Sequence, residues 1–119
     1  MRKSTSLTAS PEFERVYRNG SVYRGRLFSV HALPNAIGSA RLGLSVSKKV
    51  GTAVKRNEVR RRLREIFRCS SDGLQGNVDL VISARPAAAE ASFEELNEEF
   101  ARSLRRLGEN GKNRDDGGN

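Results

Sequence analysis

Nine lysines and arginines within residues 48–68 are the side chains with the clearest chemical potential. They are Lys48, Lys49, Lys55, Arg56, Arg60, Arg61, Arg62, Arg64 and Arg68. Only Glu58 and Glu65 oppose them, so this segment has a net charge of +7, against +8 for all 119 residues. Guanidinium and ammonium groups bind phosphate oxygens through charge-assisted hydrogen bonds. The segment therefore predicts a site for an anionic partner, with nucleic acid favoured over an anionic membrane.

The side chains that enzymes use for proton transfer, nucleophilic attack or metal binding are sparse. His31 is the sole histidine, which excludes a histidine pair or a His-based triad within one chain. Cys69 is the sole cysteine, so we expect no internal disulfide, no structural zinc site and a reduced, cytosolic setting. Asp79 is the one acid in a predicted strand, whereas a two-metal nuclease needs several converging carboxylates. We therefore expect no catalysis by the side chains of this chain.

The basic residues lie on a predicted helix whose apolar stripe is narrow. The stripe consists of Val59, Leu63, Ile66 and Phe67, at positions i, i+4, i+7 and i+8. Thr52 is placed to cap the start of this helix. Arg60, Arg64 and Arg68 form a row at i+4 spacing, where like charges repel by about a few tenths of a kcal/mol per pair. An anionic partner explains this repulsion most simply, and a solvated helix face is the alternative.

The flanking sequence predicts the other elements, in the overall order helix, strand, strand, helix, strand, helix. The first helix begins at Ser10-Pro11 and ends at Gly20. Residues 22–33 and 41–47 alternate as two strands, and the apolar run 78–84 is typical of a central strand buried on both faces. The last helix begins at a capping box, Ser92 with Glu95, and ends at Gly108.

These elements predict an α+β fold, an α/β sandwich in which one sheet packs against helices. The basic helix joins two strands as a β-α-β crossover, which the general rule makes right-handed. We expect a flexible N-terminus at 1–8, a single nucleic-acid-binding domain at 9–108 and a disordered tail at 109–119. No run of about 18 apolar residues exists, and no apolar segment follows the basic start. Neither a membrane span nor a secretory signal is therefore expected.

Residues 43–68, GLSVSKKVGTAVKRNEVRRRLREIFR, resemble the bacterial ribonuclease P protein component. In that family a strand ends in S-K-K-x-G, a short A-V follows, and an R-N-R triplet opens a basic helix. Weaker motifs extend the resemblance over residues 7–107. The triplet reads R-N-E here, with Glu58 as its third residue. We expect Glu58 either to pair locally with Arg61 or Arg62, or to cost part of the RNA contact.

The resemblance implies the protein subunit of a ribozyme that removes the 5′ leader from precursor tRNA. The catalytic groups and their Mg²⁺ would belong to the RNA subunit, and the protein alone would bind no cofactor. The implied partners are the catalytic RNA and precursor tRNA in the cytoplasm, with no membrane and no obligate protein partner. The family also implies a left-handed β-α-β crossover, as in the second domain of a small-subunit ribosomal protein. This implication replaces the right-handed expectation.

The resemblance assigns two sets of site residues by their position in the motifs. The set implied to contact the catalytic RNA is Lys48, Lys49, Arg56, Asn57, Arg60, Arg61, Arg64 and Arg68. The set implied to contact the leader in a cleft is Phe13, Tyr17 and His31. Single-stranded bases stack on such rings, but Phe13 and Tyr17 could equally pack the first helix on the sheet. His31 could also be an ordinary solvated strand histidine.

Two other functions are alternatives to this one. A structural ribosomal-type RNA-binding protein could use the same sandwich and the same basic helix without any role in processing. A DNA-binding module could insert the basic helix into a major groove, but the sequence has neither a helix-turn-helix nor a dimer pattern. The ribosomal-type protein is therefore the main alternative.

Overall fold

The computed structural model of the protein describes residue 7, residues 10–70 and residues 77–116, with side chains described as far as residue 108. It contains three α-helices and four strands in these residues. They are α1 (Ser10–Asn19), β1 (Ser21–Arg24), β2 (Phe28–Pro34), β3 (Arg41–Ser45), α2 (Ala53–Ser70), β4 (Val78–Ala84) and α3 (Phe93–Asp116). Two 3₁₀ segments, Lys48–Val50 and Pro86–Glu90, precede α2 and α3 respectively. The predicted α+β class with one sheet and packed helices is confirmed.

The strands form one sheet in the order β1-β2-β4-β3. β2 is antiparallel to both β1 and β4, whereas β3 runs parallel to β4. The central position predicted for residues 78–84 is confirmed, since β4 lies between two other strands. The β-α-β crossover is also confirmed, because α2 connects the parallel strands β3 and β4. Its left-handedness stays a prediction.

The single strand predicted over residues 22–33 is wrong, because the chain reverses and forms two antiparallel strands. At the turn the amide of Gly25 donates to the carbonyl of Phe28 at 3.0 Å. The Glu99 carboxylate of α3, only 5% exposed, accepts hydrogen bonds from the amides of Leu27 (3.0 Å) and Phe28 (3.3 Å). A side-chain carbon at Gly25 would lie 2.1 Å from this carboxylate. The hairpin is therefore held by a residue 72 positions away in the sequence.

The main core lies between one face of the sheet and the helices α2 and α3. All four residues of the predicted α2 stripe are buried there, against side chains of β3 and β4 such as Leu42, Leu80 and Ile82. Burying each such side chain stabilises the fold by about 1.5–3 kcal/mol. This burial fixes the rotation of α2 about its axis, so the arginines on its other side are directed away from the core.

Helix α1 packs on the opposite face of the sheet, over a smaller apolar cluster that contains Leu7, Val16 and Val81. Leu7 belongs to the segment predicted to be flexible, but its side chain is 3% exposed and its amide donates to the Leu42 carbonyl at 2.9 Å. The prediction is wrong at Leu7, because its side chain is buried with Val16 and Val81 and its amide is bonded to β3. The rest of residues 1–8 lies outside the described residues.

Helix α3 begins at the predicted capping box. The hydroxyl of Ser92 accepts from the Glu95 amide at 3.1 Å, and the Glu95 carboxylate accepts from the Ser92 amide at 2.8 Å. The predicted end at Gly108 is wrong, since the helix continues to Asp116. Gly108 lacks the positive φ of a helix-ending glycine, and one glycine costs an established helix only about 1 kcal/mol. Residues 109–116 are thus helical where a disordered tail was predicted, and 117–119 lie outside the described residues.

The Glu99 contacts generate a stability prediction. We expect Glu99→Ala to lower the free energy of unfolding by about 2–4 kcal/mol, because two buried amides lose their acceptor. Urea unfolding followed by circular dichroism would measure the loss. Glu98→Ala removes an exposed carboxylate from the same helix and should change stability by less than about 0.5 kcal/mol. Equal losses in the two variants would contradict the role of Glu99.

Candidate nucleic-acid interface

The basic surface begins where β3 leads into α2. The hydroxyl of Ser47 accepts from the Lys49 amide and caps the 3₁₀ segment that carries Lys48 and Lys49. The hydroxyl of Thr52 accepts from the Lys55 amide at 3.3 Å, which confirms the predicted cap of α2. The first turn of α2 contains no acid, so the positive end of the helix dipole adds to the lysine charges. Both features favour an anion at this connection.

Two of the predicted RNA-binding arginines are anchored to the backbone of this connection. The Nε of Arg56 donates to the carbonyl of Gly51 at 3.2 Å. Arg60 donates to the carbonyl of Val46 at 3.5 Å and to the Oδ1 of Asn57 at 3.1 Å. The guanidinium groups keep further N–H donors beyond these bonds. Lys48, Lys49 and these three α2 side chains therefore lie on one continuous polar surface.

Glu58, which departs from the family motif, pairs with neighbouring arginines, and this is one of the two outcomes expected for it. Its Oε2 accepts from Arg61 at 2.6 Å and from the Nε of Arg62 at 3.0 Å. These contacts, the Arg61 hydrogen bond first, lower the pKa of Glu58. Arg62 also donates to the carbonyl of Ala91 at 3.0 Å, and so ties α2 to the segment before α3. Glu58 and Arg62 therefore serve local structure.

The remaining side chains predicted to contact RNA differ in whether an acid of this chain already pairs with them. Arg68 pairs with Glu65 in the same helix, and the Arg61 and Arg68 pairs are both exposed. Exposed pairs contribute only about 0–1 kcal/mol, so a phosphate can replace the acid. Within the described part of the chain, the exposed side chains of Lys48, Lys49 and Arg64 make no hydrogen bond or ion pair. Their charges are available to a partner without any exchange.

The three residues predicted to form a cleft do meet on the α1 face of the sheet. The rings of Tyr17 and His31 are 4.8 Å apart at 88°, and those of Phe13 and Tyr17 are 6.4 Å apart at 65°. The hydroxyl of Tyr17 lies 3.1 Å from that of Ser83 on β4. An open groove follows this part of α1, lined by Ser10, Pro11, Phe13, Glu14 and Tyr17. The groove and its rings form an aromatic surface beside the sheet.

The three rings have different surroundings. Phe13 packs on the bare backbone of Gly43, where a side-chain carbon would lie 2.7 Å from the ring, so it also holds α1 on the sheet. Tyr17 is 38% exposed. Burial lowers the pKa of His31, and the charge of Arg24 acts in the same direction, so this imidazole is neutral at pH 7. Its Nδ1 is buried without a hydrogen-bond partner among the described residues.

A polar row beside Tyr17 escaped the sequence predictions. Arg24, Ser29, Ser83 and Ser45 are register neighbours across all four strands, and Arg85 donates to the hydroxyl of Ser29 at 3.4 Å. The alternation of β2 places Ser29 on the same face as His31, which was the available signal. The other members of the row come from separate strands, and only the register of the sheet brings them side by side. The sequence alone therefore did not reveal the whole row.

Asp79, predicted to be an isolated acid, is the centre of a buried ion cluster. Its carboxylate is 0% exposed and accepts from Arg41 twice, both at 2.9 Å, from Arg15 at 2.9 Å and from Asn35 at 2.7 Å. Burial alone would raise the pKa of Asp79, but the hydrogen bonds from Arg41 and Asn35 and the arginine charges outweigh it and lower the pKa. Asp79 therefore stays ionised as a structural anion.

Residues 7, 10–70 and 77–116 contain no cluster of three or more His, Cys, Asp and Glu side chains that could hold a metal ion. No helix in these ranges is long and apolar enough to cross a membrane.

The amino-acid sequence is similar to those of known proteins over most of its length. Residues 1–108 match the family model described as Ribonuclease P. The ribonuclease P protein component of Caldanaerobacter subterraneus subsp. tengcongensis is 40% identical over 104 residues, covering 87% of this chain and 90% of that protein. The corresponding protein of Bacillus pumilus is 36% identical, covering 89% and 90% respectively. No comparison supports the ribosomal-type alternative.

Solved structures of similar proteins share the fold. The ribonuclease P protein of Staphylococcus aureus is 30% identical with a TM-score of 0.75, and the match covers 92% of this chain and 97% of that one. The ribonuclease P protein of Thermotoga maritima is 27% identical with a TM-score of 0.75, covering 89% and 96%. The sheet and helices described above are therefore arranged as in these proteins.

Proposed function

This chain belongs to the ribonuclease P protein family, and from that membership we propose which RNA each of its two surfaces binds. As a family member it is a subunit of the ribonuclease P ribonucleoprotein and takes part in 5′ processing of tRNA. The α2 surface binds the catalytic RNA, and the α1 groove binds the 5′ leader of precursor tRNA. The single observation that carries the proposal is that α2 buries its apolar stripe and turns its arginines outward.

Contact with the catalytic RNA uses the connection from β3 into α2 and the exposed side of the helix. Folded RNA offers mainly phosphates and 2′-hydroxyls, which guanidinium groups bind through several donors at once. Arg56 and Arg60 are held in place by backbone carbonyls, so little side-chain entropy is lost on binding. Arg64, Lys48 and Lys49 bring charges that no ion pair among the described residues neutralises. This combination supports contact with the RNA backbone rather than recognition of a base sequence.

Contact with the leader uses the α1 groove. An unpaired leader can present its bases for stacking, and Tyr17 offers an exposed ring whose position is set by His31 and Ser83. The neutral imidazole of His31 can accept or donate a hydrogen bond without adding charge. The polar row adds hydroxyl and guanidinium donors for the leader backbone. Stacking plus backbone contact suits leaders of differing sequence.

We place the catalytic groups, with their Mg²⁺, in the RNA subunit. Three acids are already engaged in structural contacts: Asp79 with arginines, Glu58 with arginines and Glu99 with backbone amides. The protein would then contribute affinity and position, with precursor tRNA and catalytic RNA as its partners. We expect it to act in the cytoplasm, with no membrane and no obligate protein partner.

The first prediction from this proposal concerns the α2 surface. We expect Arg64→Ala to weaken binding to ribonuclease P RNA and to reduce the slope of log affinity against log salt by about 1, because one phosphate contact is lost. Filter binding over a series of salt concentrations would measure the slope. Arg105→Ala removes an exposed charge from α3 and should leave the slope unchanged. Equal changes in the two variants would mean that only net charge matters.

The second prediction concerns the α1 groove. We expect Tyr17→Ala to weaken holoenzyme binding to leader-bearing precursor tRNA by about ten-fold, because base stacking on an aromatic ring contributes about 1–3 kcal/mol. Binding to mature tRNA should not change. Tyr17→Phe keeps the ring, loses the hydroxyl contact with Ser83 and should have a smaller effect. If Tyr17→Ala weakens binding to both RNAs equally, Tyr17 only packs α1 on the sheet.

A further inference from the structure

The ion cluster around Asp79 lies between α1 and the sheet, a few residues from the aromatic groove. We propose that Asp79 is a positioning residue, which acts through Arg15 and Arg41 to set the place of α1 and hence of Tyr17. This inference rests on the leader contact proposed above and identifies a residue that determines its geometry. Asp79 touches no RNA in this account, since its side chain is completely buried.

The cluster joins α1 to the sheet at two points. Arg15 on α1 donates to the Oδ2 of Asp79, and Glu12, one turn earlier on α1, accepts from Arg41 at 3.4 Å. Arg41 on β3 holds both carboxylate oxygens of Asp79 on β4, and Asn35 donates to Oδ1 at 2.7 Å. A two-bond arginine–carboxylate pair has a fixed planar geometry. The cluster therefore presents α1 with one acceptor and one donor at fixed places.

The hydrogen bonds of the ion cluster are directional, whereas the apolar contacts beneath α1 are not. The helix has only ten residues, and Val16 is its one fully buried residue. Apolar burial favours contact without favouring a particular rotation or axial position. Charged hydrogen bonds at Glu12 and Arg15 do favour one, because a small rotation separates the donors from their acceptors. The ion cluster thus selects one rotation and axial position of α1 among several that would cover the same apolar surface.

Tyr17 follows Arg15 by two residues, which is about 3 Å along a helix axis. Its hydroxyl and ring meet partners on the sheet, Ser83 and His31, at 3.1 Å and 4.8 Å. A shift of α1 by even part of a turn would break both contacts. Position is therefore transmitted from Asp79 through Arg15 and one helical segment to the ring proposed to stack on the leader. In some proteins a buried ion pair contributes conformational specificity rather than stability, and the Asp79 cluster fits that role.

A matched pair of variants on α1 tests the proposal. Arg15→Gln and Arg18→Gln each remove one positive charge from the same helix, so the general attraction for RNA falls equally. Arg15 reaches the buried Asp79, whereas Arg18 is 75% exposed and pairs weakly with the exposed Glu14, at 3.9 Å. The Arg15 side chain is still 47% exposed and that of Arg18 is 75% exposed, so neither change should prevent folding. Arg15→Lys restores the charge and one possible bond to Asp79.

Two measurements are made on each variant. In the free protein, amide hydrogen exchange of α1 and the proton shifts of the Tyr17 and His31 rings report whether the helix keeps its seat. In the holoenzyme, the ratio of precursor to mature tRNA affinity reports the leader contact. We expect Arg15→Gln to speed α1 exchange by about ten-fold, to shift both ring signals, and to lower the ratio by about five-fold. Arg18→Gln should change each by less than about two-fold, and Arg15→Lys should recover part of the loss.

The outcomes separate this inference from the proposed function. Unchanged exchange and ring signals in Arg15→Gln would overturn the positioning role, whatever the RNA measurements give. A loosened helix with an unchanged affinity ratio would also overturn it, provided that Tyr17→Ala lowers the ratio. If Tyr17→Ala leaves the ratio unchanged, the leader contact itself fails, and the exchange result alone decides whether the cluster positions α1. Asp79→Asn, if it folds, should reproduce Arg15→Gln while binding of the catalytic RNA through α2 is kept.

Discussion

Burial of four apolar side chains on α2 is the interaction on which the interface depends. Val59, Leu63, Ile66 and Phe67 occupy one narrow side of the helix and are all within the core. Because they fix the rotation of α2, the arginine row has no orientation open to it except toward solvent. Mutual repulsion within that row is small beside the burial of four large side chains. The helix can therefore carry a dense positive charge and still be stably placed.

The sheet separates this interface from a second one. Leu80 and Ile82 of β4 face the core with α2 and α3, whereas Asp79, Val81 and Ser83 face α1. On the α1 face, Asp79 is a buried anion that anchors α1 through Arg15, and Val81 makes an apolar contact. At the other end of the strand, the hydroxyl of Ser83 orients Tyr17. One central strand thus supports both proposed RNA surfaces, and a change on one face need not disturb the other.

Local patterns in the sequence were enough to predict the elements that form the α2 interface. The stripe of α2, the caps at Thr52 and Ser92, and the central position of residues 78–84 all follow from spacing and residue type. The missed hairpin and the missed ion cluster lie where distant residues decide the local conformation. The turn at 25–27 depends on Glu99, and the role of Asp79 depends on arginines 38 and 64 positions away. A single sequence contains no record of such pairings, so the hairpin and the seat of α1 were not predictable from it.

We propose that this protein promotes cleavage by binding RNA and leaves the chemistry to the RNA subunit. The most direct test of this proposal is the cleavage rate of precursor tRNA by ribonuclease P RNA at low Mg²⁺, with and without the protein. We expect the protein to accelerate cleavage where the RNA alone is slow, and we expect the protein without RNA to cleave nothing. An unchanged rate in the presence of the protein, or cleavage by the protein alone, would contradict it.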